Sequence, residues 1–322
     1  MKIGILGVGR ISEIVTPTLP CTPGAELYAV ASRSLPKAQD FAARHGVKIA
    51  YGSYEELVSD PNVELIYIAT PHSHHFEHMK LCIEHQKHFL CEKAFTVNAQ
   101  QAKEIIALAK KAGVFVAEAN WTRYMPSRQI IDDLIRSGII GEVSVIDASL
   151  CYYADGKERI FDPNLAGGAL LDVGVYGINL SVMLFGKEID RIESSVQMMP
   201  CGVDAAESIT IHHKNGNMTV LTHSVLGRSS KSAYIHGTKG YMVIQNIPNP
   251  KSIRVYDMND SLILDQPIPQ QITGYEYEFS EAIQCIESGK LESQSMPHAE
   301  TLFIMELMDS IRTQWGMRFP ME

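Results

Sequence analysis

The chain has 322 residues, 45% of them hydrophobic and 20% charged, which is the composition of a folded protein with room for roughly two domains. Its net charge of -9 argues against nucleic acid or an anionic membrane as the main partner, so any anionic ligand must be held by a local basic cluster. The cysteines (Cys21, Cys82, Cys91, Cys151, Cys201, Cys285) show no CxxC spacing, so neither a disulfide framework nor a zinc site is indicated. The opening apolar run is too short for a signal peptide, and no uninterrupted apolar stretch approaches ~18 residues. A cytoplasmic location is expected.

Residues 3–6 are predicted to form a buried strand, followed at once by Gly7-Val8-Gly9-Arg10-Ile11-Ser12. This GxGxxS turn is close to the dinucleotide fingerprint GxGxxG/A. Gly7 permits the tight turn, Gly9 lets backbone approach a pyrophosphate, and a small third residue lets the helix pack near the strand. The turn, with Arg10 and Ile11, is assigned to cofactor binding.

A second strand, 27–31, ends at Ser32-Arg33-Ser34. About 20 residues past the glycines, NAD enzymes place Asp or Glu on the ribose hydroxyl. Ser32 and Arg33 stand there instead, with Lys37 one helical turn on, so the cofactor expected is NADP rather than NAD. The competing reading is that both bases are merely solvated at a helix start. A helix capped by Ser34 should end at Gly46, followed by a strand at 47–51 and a helical turn at 54–58.

The strand 63–69 runs into Thr70-Pro71-His72-Ser73-His74-His75, with His78 close behind. His74 and His78 share a helix face, which invites a metal reading. No acidic or thiol ligand accompanies them in a metal-like pattern, so lining the cofactor cleft and opening a helix to about residue 86 is preferred. No metal is expected. The next strand, His88-Phe89-Leu90-Cys91, surfaces at Glu92-Lys93, where a Lys can point at a ligand from a rigid support. A solvated pair capping a strand is the plainer alternative. A helix from Asn98, with Gln101 as in a capping box, should stop at Gly113 before a strand at 114–119. Six strands alternating with helices over 1–120 predict a doubly wound parallel sheet.

Beyond it, a helix is predicted at 127–137, a half-buried strand at 143–152, and a helix opened by Gly167-Gly168 and running to about residue 185. Asp172 and Tyr176, four apart, should project from one face of that helix. They form either a core Tyr bonded to an Asp or, together with Lys93, a catalytic cluster. From 190 onward the pattern is of strands, with a hairpin at Asn215-Gly216 and a turn at Lys239-Gly240. Two helices, near 275–287 and 299–315, close the chain. Residues 121–322 are expected to form one α+β domain on a large, mainly antiparallel, open-faced sheet. The fold class is therefore α/β, a Rossmann domain plus an α+β domain.

Four blocks carry a resemblance to the glucose–fructose oxidoreductase/inositol dehydrogenase family: the GVGRIS turn, Ala69-Thr70-Pro71-His72, Cys91-Glu92-Lys93-Ala94, and Gly167-Gly168-Ala169-Leu170-Leu171-Asp172-Val173-Gly174-Val175-Tyr176. The segment Glu118-Ala119-Asn120-Trp121-Thr122-Arg123 and Tyr176 resemble the NADP-dependent dihydrodiol and D-xylose dehydrogenases; the wider family more often carries His in place of Tyr176. The resemblance implies hydride transfer between NADP and a vicinal diol or aldose. Tyr176 would be the acid/base, and Lys93, held by Glu92, would lower the phenol's pKa and bond the reacting oxygen. Asp172 would orient the pair. It further implies that Ala69, Thr70, Pro71, His72 and His75 line the cofactor, that Trp121 and Arg123 wall the nicotinamide and substrate side, and that the open sheet face pairs in a homodimer or dimer of dimers. Two other readings are a non-catalytic NADP-binding sensor or regulatory subunit, and a relative using bound cofactor for a net non-redox reaction. The chain departs from the family at His72, where Asn is usual, and at Ala94, where the family has Pro, often through a cis bond. A non-proline cis bond costs ~3–4 kcal/mol, so a trans or strained Lys93–Ala94 bond is expected.

Overall fold

The computed structural model describes residues 1–322, which divide into two compact units, 1–124 with 271–305 and 125–270 with 306–322. The first unit contains β1 (Lys2–Leu6), β2 (Glu26–Ala31), β3 (Ile49–Tyr51), β4 (Leu65–Ile68), β5 (His88–Glu92) and β6 (Val116–Ala119). Their order is β3-β2-β1-β4-β5-β6, and every pairing is parallel. Such a sheet is covered on both faces, which is why Leu65–Ile68 is apolar and buried at all positions rather than alternating. The order reverses between β1 and β4, and ligands of doubly wound sheets bind beyond the strand ends at that point.

Five helices follow the first five strands: α1 (Arg10–Val15), α2 (Leu35–His45), α3 (Tyr54–Ser59), α4 (His72–Glu84) and α5 (Ala99–Ala112). Their ends follow local chemistry. α2 and α5 stop at Gly46 and Gly113, whose φ angles of 68° and 70° are left-handed and cheap only for glycine. Asn98 accepts the Gln101 N–H at 3.0 Å, while the Gln101 side chain reaches back to the Val97 N–H at 3.2 Å, one residue beyond the expected box.

The expectation that 121–322 forms one domain is corrected. Residues 271–305 belong to the first unit, because the helix Glu276–Glu287 buries Phe279, Ala282 and Cys285 in the same apolar cluster as Ile3, Val30, Tyr67 and Leu90. Chain order does not reveal which core an amphipathic helix joins.

The second unit opens with α6 (Pro126–Arg136) and β7 (Val143–Cys151). It continues through α7 (Val175–Phe185), β8 (Ile189–Met198), β9 (Asp204–His213), β10 (Met218–Ser224), β11 (Ser232–Gly237), β12 (Gly240–Gln245), β13 (Ser252–Asp257) and β14 (Leu262–Gln266). The eight-stranded order is β14-β13-β12-β11-β7-β10-β9-β8, antiparallel throughout except between β7 and β10. Side chains alternate: Ala233, Ile235, Met242, Ile244, Ile253 and Val255 are buried, whereas Tyr234 and His236 face outward.

α7 and the turn before it are buried nearly all round. The stretch Pro163–Phe185 reaches a mean hydropathy of 1.6, and 78% of that window is buried inside the fold, as for a core helix.

Candidate active site

At the end of β1 the chain makes the expected tight turn. Gly7 has φ 104°, and a Cβ there would lie 3.0 Å from the Thr70 methyl and 3.1 Å from the Ala69 carbonyl oxygen. Glycine is therefore required by both conformation and the close passage of the β4 end. At Gly9 the nearest atom to such a Cβ is the Ala69 oxygen at 3.9 Å, so the missing side chain leaves space in front of the turn. Ser12 is buried and donates to the Gly7 carbonyl at 2.5 Å, which closes the turn where a third glycine or alanine is usual. No side chain caps α1, which leaves its first N–H groups to phosphate oxygens. Arg10 is exposed, and Ile11 packs against the core. These features fit a dinucleotide pyrophosphate.

At the end of β2, Ser32 is buried and its Oγ accepts the Ser34 N–H at 3.3 Å. Arg33 and Lys37 are exposed. Burial, then the Arg33 charge, lowers His74; His78 is lowered by burial, then His74, His75 and Arg33. Lys37 borders a cleft of about 380 Å³ shared with Val8, Pro36, Asp40, Phe41 and Arg44. Arg44 is engaged by Glu13 at 2.7 Å and Asp40 at 3.0 Å, and its hydrogen bond leads in holding the Glu13 carboxyl at about 2.

The ends of β4 and β5 are tied together by His75. Its Nε2 meets the Thr70 carbonyl at 2.8 Å and its Nδ1 the Ala94 carbonyl at 2.9 Å, and burial pushes the imidazole down to about 4. His75 is wholly buried, so it braces the loops from behind rather than presenting a ring to a ligand. His78 Nδ1 pairs with Thr70 Oγ1 at 2.9 Å. Pro71 precedes the first residue of α4, and His72 is buried edge-on to His75. These side chains serve the loop architecture.

Lys93 stands one residue beyond β5. Its N–H donates to Glu92 Oε2 at 3.2 Å, and the other oxygen of that carboxylate accepts the Tyr67 hydroxyl. The Lys93–Ala94 bond is cis, so of the two alternatives, trans or strained, it is not the trans one. Two residues on, the Phe95 N–H donates to Glu118 Oε1 at 3.2 Å. Burial raises the Glu118 carboxyl to about 7, opposed in part by Thr301 and Arg123. Below them Glu278 is fully buried, and burial, then Glu92, pushes its carboxyl well above the usual range. Trp121 stacks on Tyr275 with centroids 4.2 Å apart. Arg123 departs from its expected place along a binding wall: its side chain is 2% exposed and ion-paired with Glu300 at 2.9 Å.

In the second unit the expected regular helix from Gly167 is replaced by a π turn, Leu170–Gly174, that hands over to α7. Asp172 lies within the π turn and Tyr176 in the first turn of the α-helix that follows it. Asp172 is held from outside the helix. Its carboxylate accepts the Tyr152 hydroxyl and Arg159 Nη2, the latter at 2.8 Å. Lys157 sits 3.7 Å over the Tyr152 ring. Tyr176 is half-buried in the first turn of α7.

Tyr67, Tyr275, Tyr152 and Arg159 were not legible as site residues, because none lies in a local motif. Glu118 was visible only as part of a family-like segment.

Residues 1–119 match the profile of the oxidoreductase family with an NAD-binding Rossmann fold, and residues 129–243 that of the GFO/IDH/MocA C-terminal domain. The chain is 33% identical over 325 residues to a trans-1,2-dihydrobenzene-1,2-diol dehydrogenase of Danio rerio, covering 98% of this chain and 97% of that one. The chain belongs to the GFO/IDH/MocA oxidoreductase family. A D-xylose 1-dehydrogenase (NADP(+)) of Hypocrea jecorina is 35% identical over 364 residues, covering 99% of this chain and 93% of the relative. Among solved structures, a 3-ketoreductase from Actinomadura kijaniata in complex with NADP and TDP-benzene aligns with a TM-score of 0.90 at 22% identity, over 97% of each chain. An aldose-aldose oxidoreductase from Caulobacter crescentus aligns at 0.88 and 20% identity, over 98% of each. At those identities the likeness is one of fold, and this family member shares the fold end to end.

Proposed function

We propose that this family member is an NADP-dependent oxidoreductase acting on a carbinol carbon of a vicinal diol or aldose sugar. The observation that carries the reading is Lys93, fixed beyond β5 by the Glu92–Tyr67 pair and by Glu118 behind Phe95, two strands from the glycine turn. A protein that only sensed NADP would need the turn but not a lysine on a braced loop at that strand end. The activities named for the Danio and Hypocrea relatives supply the substrate class.

A bound nicotinamide supplies the hydride acceptor. Tyr176 takes the hydroxyl proton as the carbinol is oxidised, and the Lys93 ammonium hydrogen-bonds the reacting oxygen and offsets its developing negative charge. Asp172, held by Tyr152 and Arg159, steadies the turn that leads into Tyr176. The GVGRIS turn binds pyrophosphate, and Arg33 with Lys37 binds the ribose 2′-phosphate. Trp121, rigid on Tyr275, walls the nicotinamide. Buried Arg123 acts behind that wall, holding the 121–123 segment through Glu300.

In this reading the first unit binds cofactor, and the second binds substrate and pairs with another copy. Free cysteines, four of them buried, suit a reducing cytoplasm. The test is absorbance at 340 nm with NADP across a panel of vicinal diols and aldopyranoses. Turnover of some member of the panel is expected, and none with any substrate would refute the reading.

A further inference from the structure

Beneath the catalytic turn of the second unit, the antiparallel sheet carries three buried titratable side chains that the proposed chemistry does not use. Asp204 and Glu207 come from β9 and His223 from β10. Asp204 Oδ2 accepts the N–H of Leu170, the first residue of the π turn, at 2.6 Å. Glu207 Oε1 lies 3.1 Å from His223 Nδ1.

The same three groups explain the glycines of the facing block. A Cβ on Gly168 would fall 2.1 Å from Asp204 Oδ1, one on Gly174 would fall 2.6 Å from Glu207 Oε1, and one on Gly177 would fall 2.3 Å from His223 Nε2. Gly174 has helical φ and ψ of −59° and −36°. On backbone grounds alanine would be better there by ~0.5–1 kcal/mol. What excludes it is the polar side chain opposite. Backbone pressed onto three fixed polar groups cannot slide or rotate as it could over a smooth apolar surface.

We propose that Asp204, Glu207 and His223 are positioning residues for the proposed reaction, fixing the height and rotation of the turn that carries Asp172 and Tyr176, with Gly168, Gly174 and Gly177 as their contact points. The inference rests on the assignment of Tyr176 as acid/base. Burial, then Glu207, holds the Asp204 carboxyl well above the usual range, burial raises Glu207 to about 8, and burial depresses His223 to about 3. Asn at 204 keeps an oxygen to accept the Leu170 N–H, so it should replace Asp204, and an apolar residue should not.

The test compares Asp204→Asn, Asp204→Ala and Gly177→Ala with the parent, by NADP-linked turnover and by amide hydrogen exchange over 170–177. Misplacing a catalytic group by about 1 Å costs on the order of 100-fold. Asp204→Ala and Gly177→Ala are expected to lower kcat by ~10- to 100-fold with KM for NADP within about twofold, while Asp204→Asn stays within about threefold of the parent. Exchange at 170–177 should quicken in Asp204→Ala and not in Asp204→Asn. Gly177→Ala keeps the test decisive if Asp204→Ala does not fold. Parent-like kcat in Gly177→Ala, or equal impairment in Asp204→Asn and Asp204→Ala, overturns the proposal. If the parent itself turns over no substrate, the functional reading has failed and hydrogen exchange alone decides this one: unchanged protection in Asp204→Ala refutes it.

Discussion

Lys93 illustrates which single residues a sequence can expose. An apolar strand ending in Glu-Lys marks a cation on a rigid support, and the glycine turn marks the end of the sheet where a ligand sits. The groups that brace the backbone around it were hidden: Tyr67 is 25 residues from Glu92, and Glu118 is 23 from Phe95. Their roles exist only once neighbouring strands pair. Arg33 is the opposite case, since its meaning depends on a short count from Gly7 and Gly9. A guanidinium at the β2 end offers a phosphate two parallel bonds, and charge-assisted bonds contribute ~1.5–3 kcal/mol each. Screening at an exposed site reduces this, so a preference for NADP of about tenfold is expected in kcat/KM. Arg33→Ala should erase most of it. Arg33→Asp should favour NAD by adding repulsion to lost attraction. Equal use of both cofactors by the parent would contradict the assignment.

At the scale of elements, the existence of strands and the ends of helices followed from period and turn chemistry, as at Asn215-Gly216 and Gly46. The π turn at 170–174 did not. Its first N–H is bonded to Asp204 on a strand 34 residues away, and the local sequence Leu-Leu-Asp-Val-Gly is compatible with an ordinary helix. Nor could the helix Glu276–Glu287 be assigned to the first unit from its own amphipathic pattern. The eight-stranded sheet makes a further statement. Tyr241 and Tyr256 stack on it with centroids 5.0 Å apart, and Tyr234 stacks with His236 while remaining 41% exposed. Aromatic surface on an uncovered sheet face is suited to isologous pairing. Light scattering at micromolar concentration should give at least twice the chain mass of 35.8 kDa. A mass of one chain would contradict pairing through this face.

For the whole molecule, buried titratable groups set the pH range of stability. Burial raises Glu118 to about 7 and Glu207 to about 8, from an ordinary value of 4.5. Each favours the fold fully below that ordinary value, and its contribution is lost as pH rises through the folded value. Burial lowers His75 to about 4, and His78 and His223 to about 3, from 6.5. Their contribution is complete above 6.5 and is lost as pH falls toward those folded values. The two sets oppose each other between 4.5 and 6.5, so Tm should peak in that interval and fall both toward pH 8 and toward pH 3.5. A Tm still rising from pH 6.5 to 8 would show that these groups do not govern stability.

The central claim is that Lys93 and Tyr176 carry the chemistry of an NADP-linked oxidation while the glycine turn and Arg33 hold the cofactor. Its most direct test is kcat at 340 nm for the parent, Lys93→Met and Tyr176→Phe on the best substrate of the panel, with NADP affinity measured separately. Loss of a general acid/base group typically costs ~10²-fold or more. The account predicts a fall of that size in kcat for each variant, with NADP affinity little changed; turnover within a few-fold of the parent in both would contradict it.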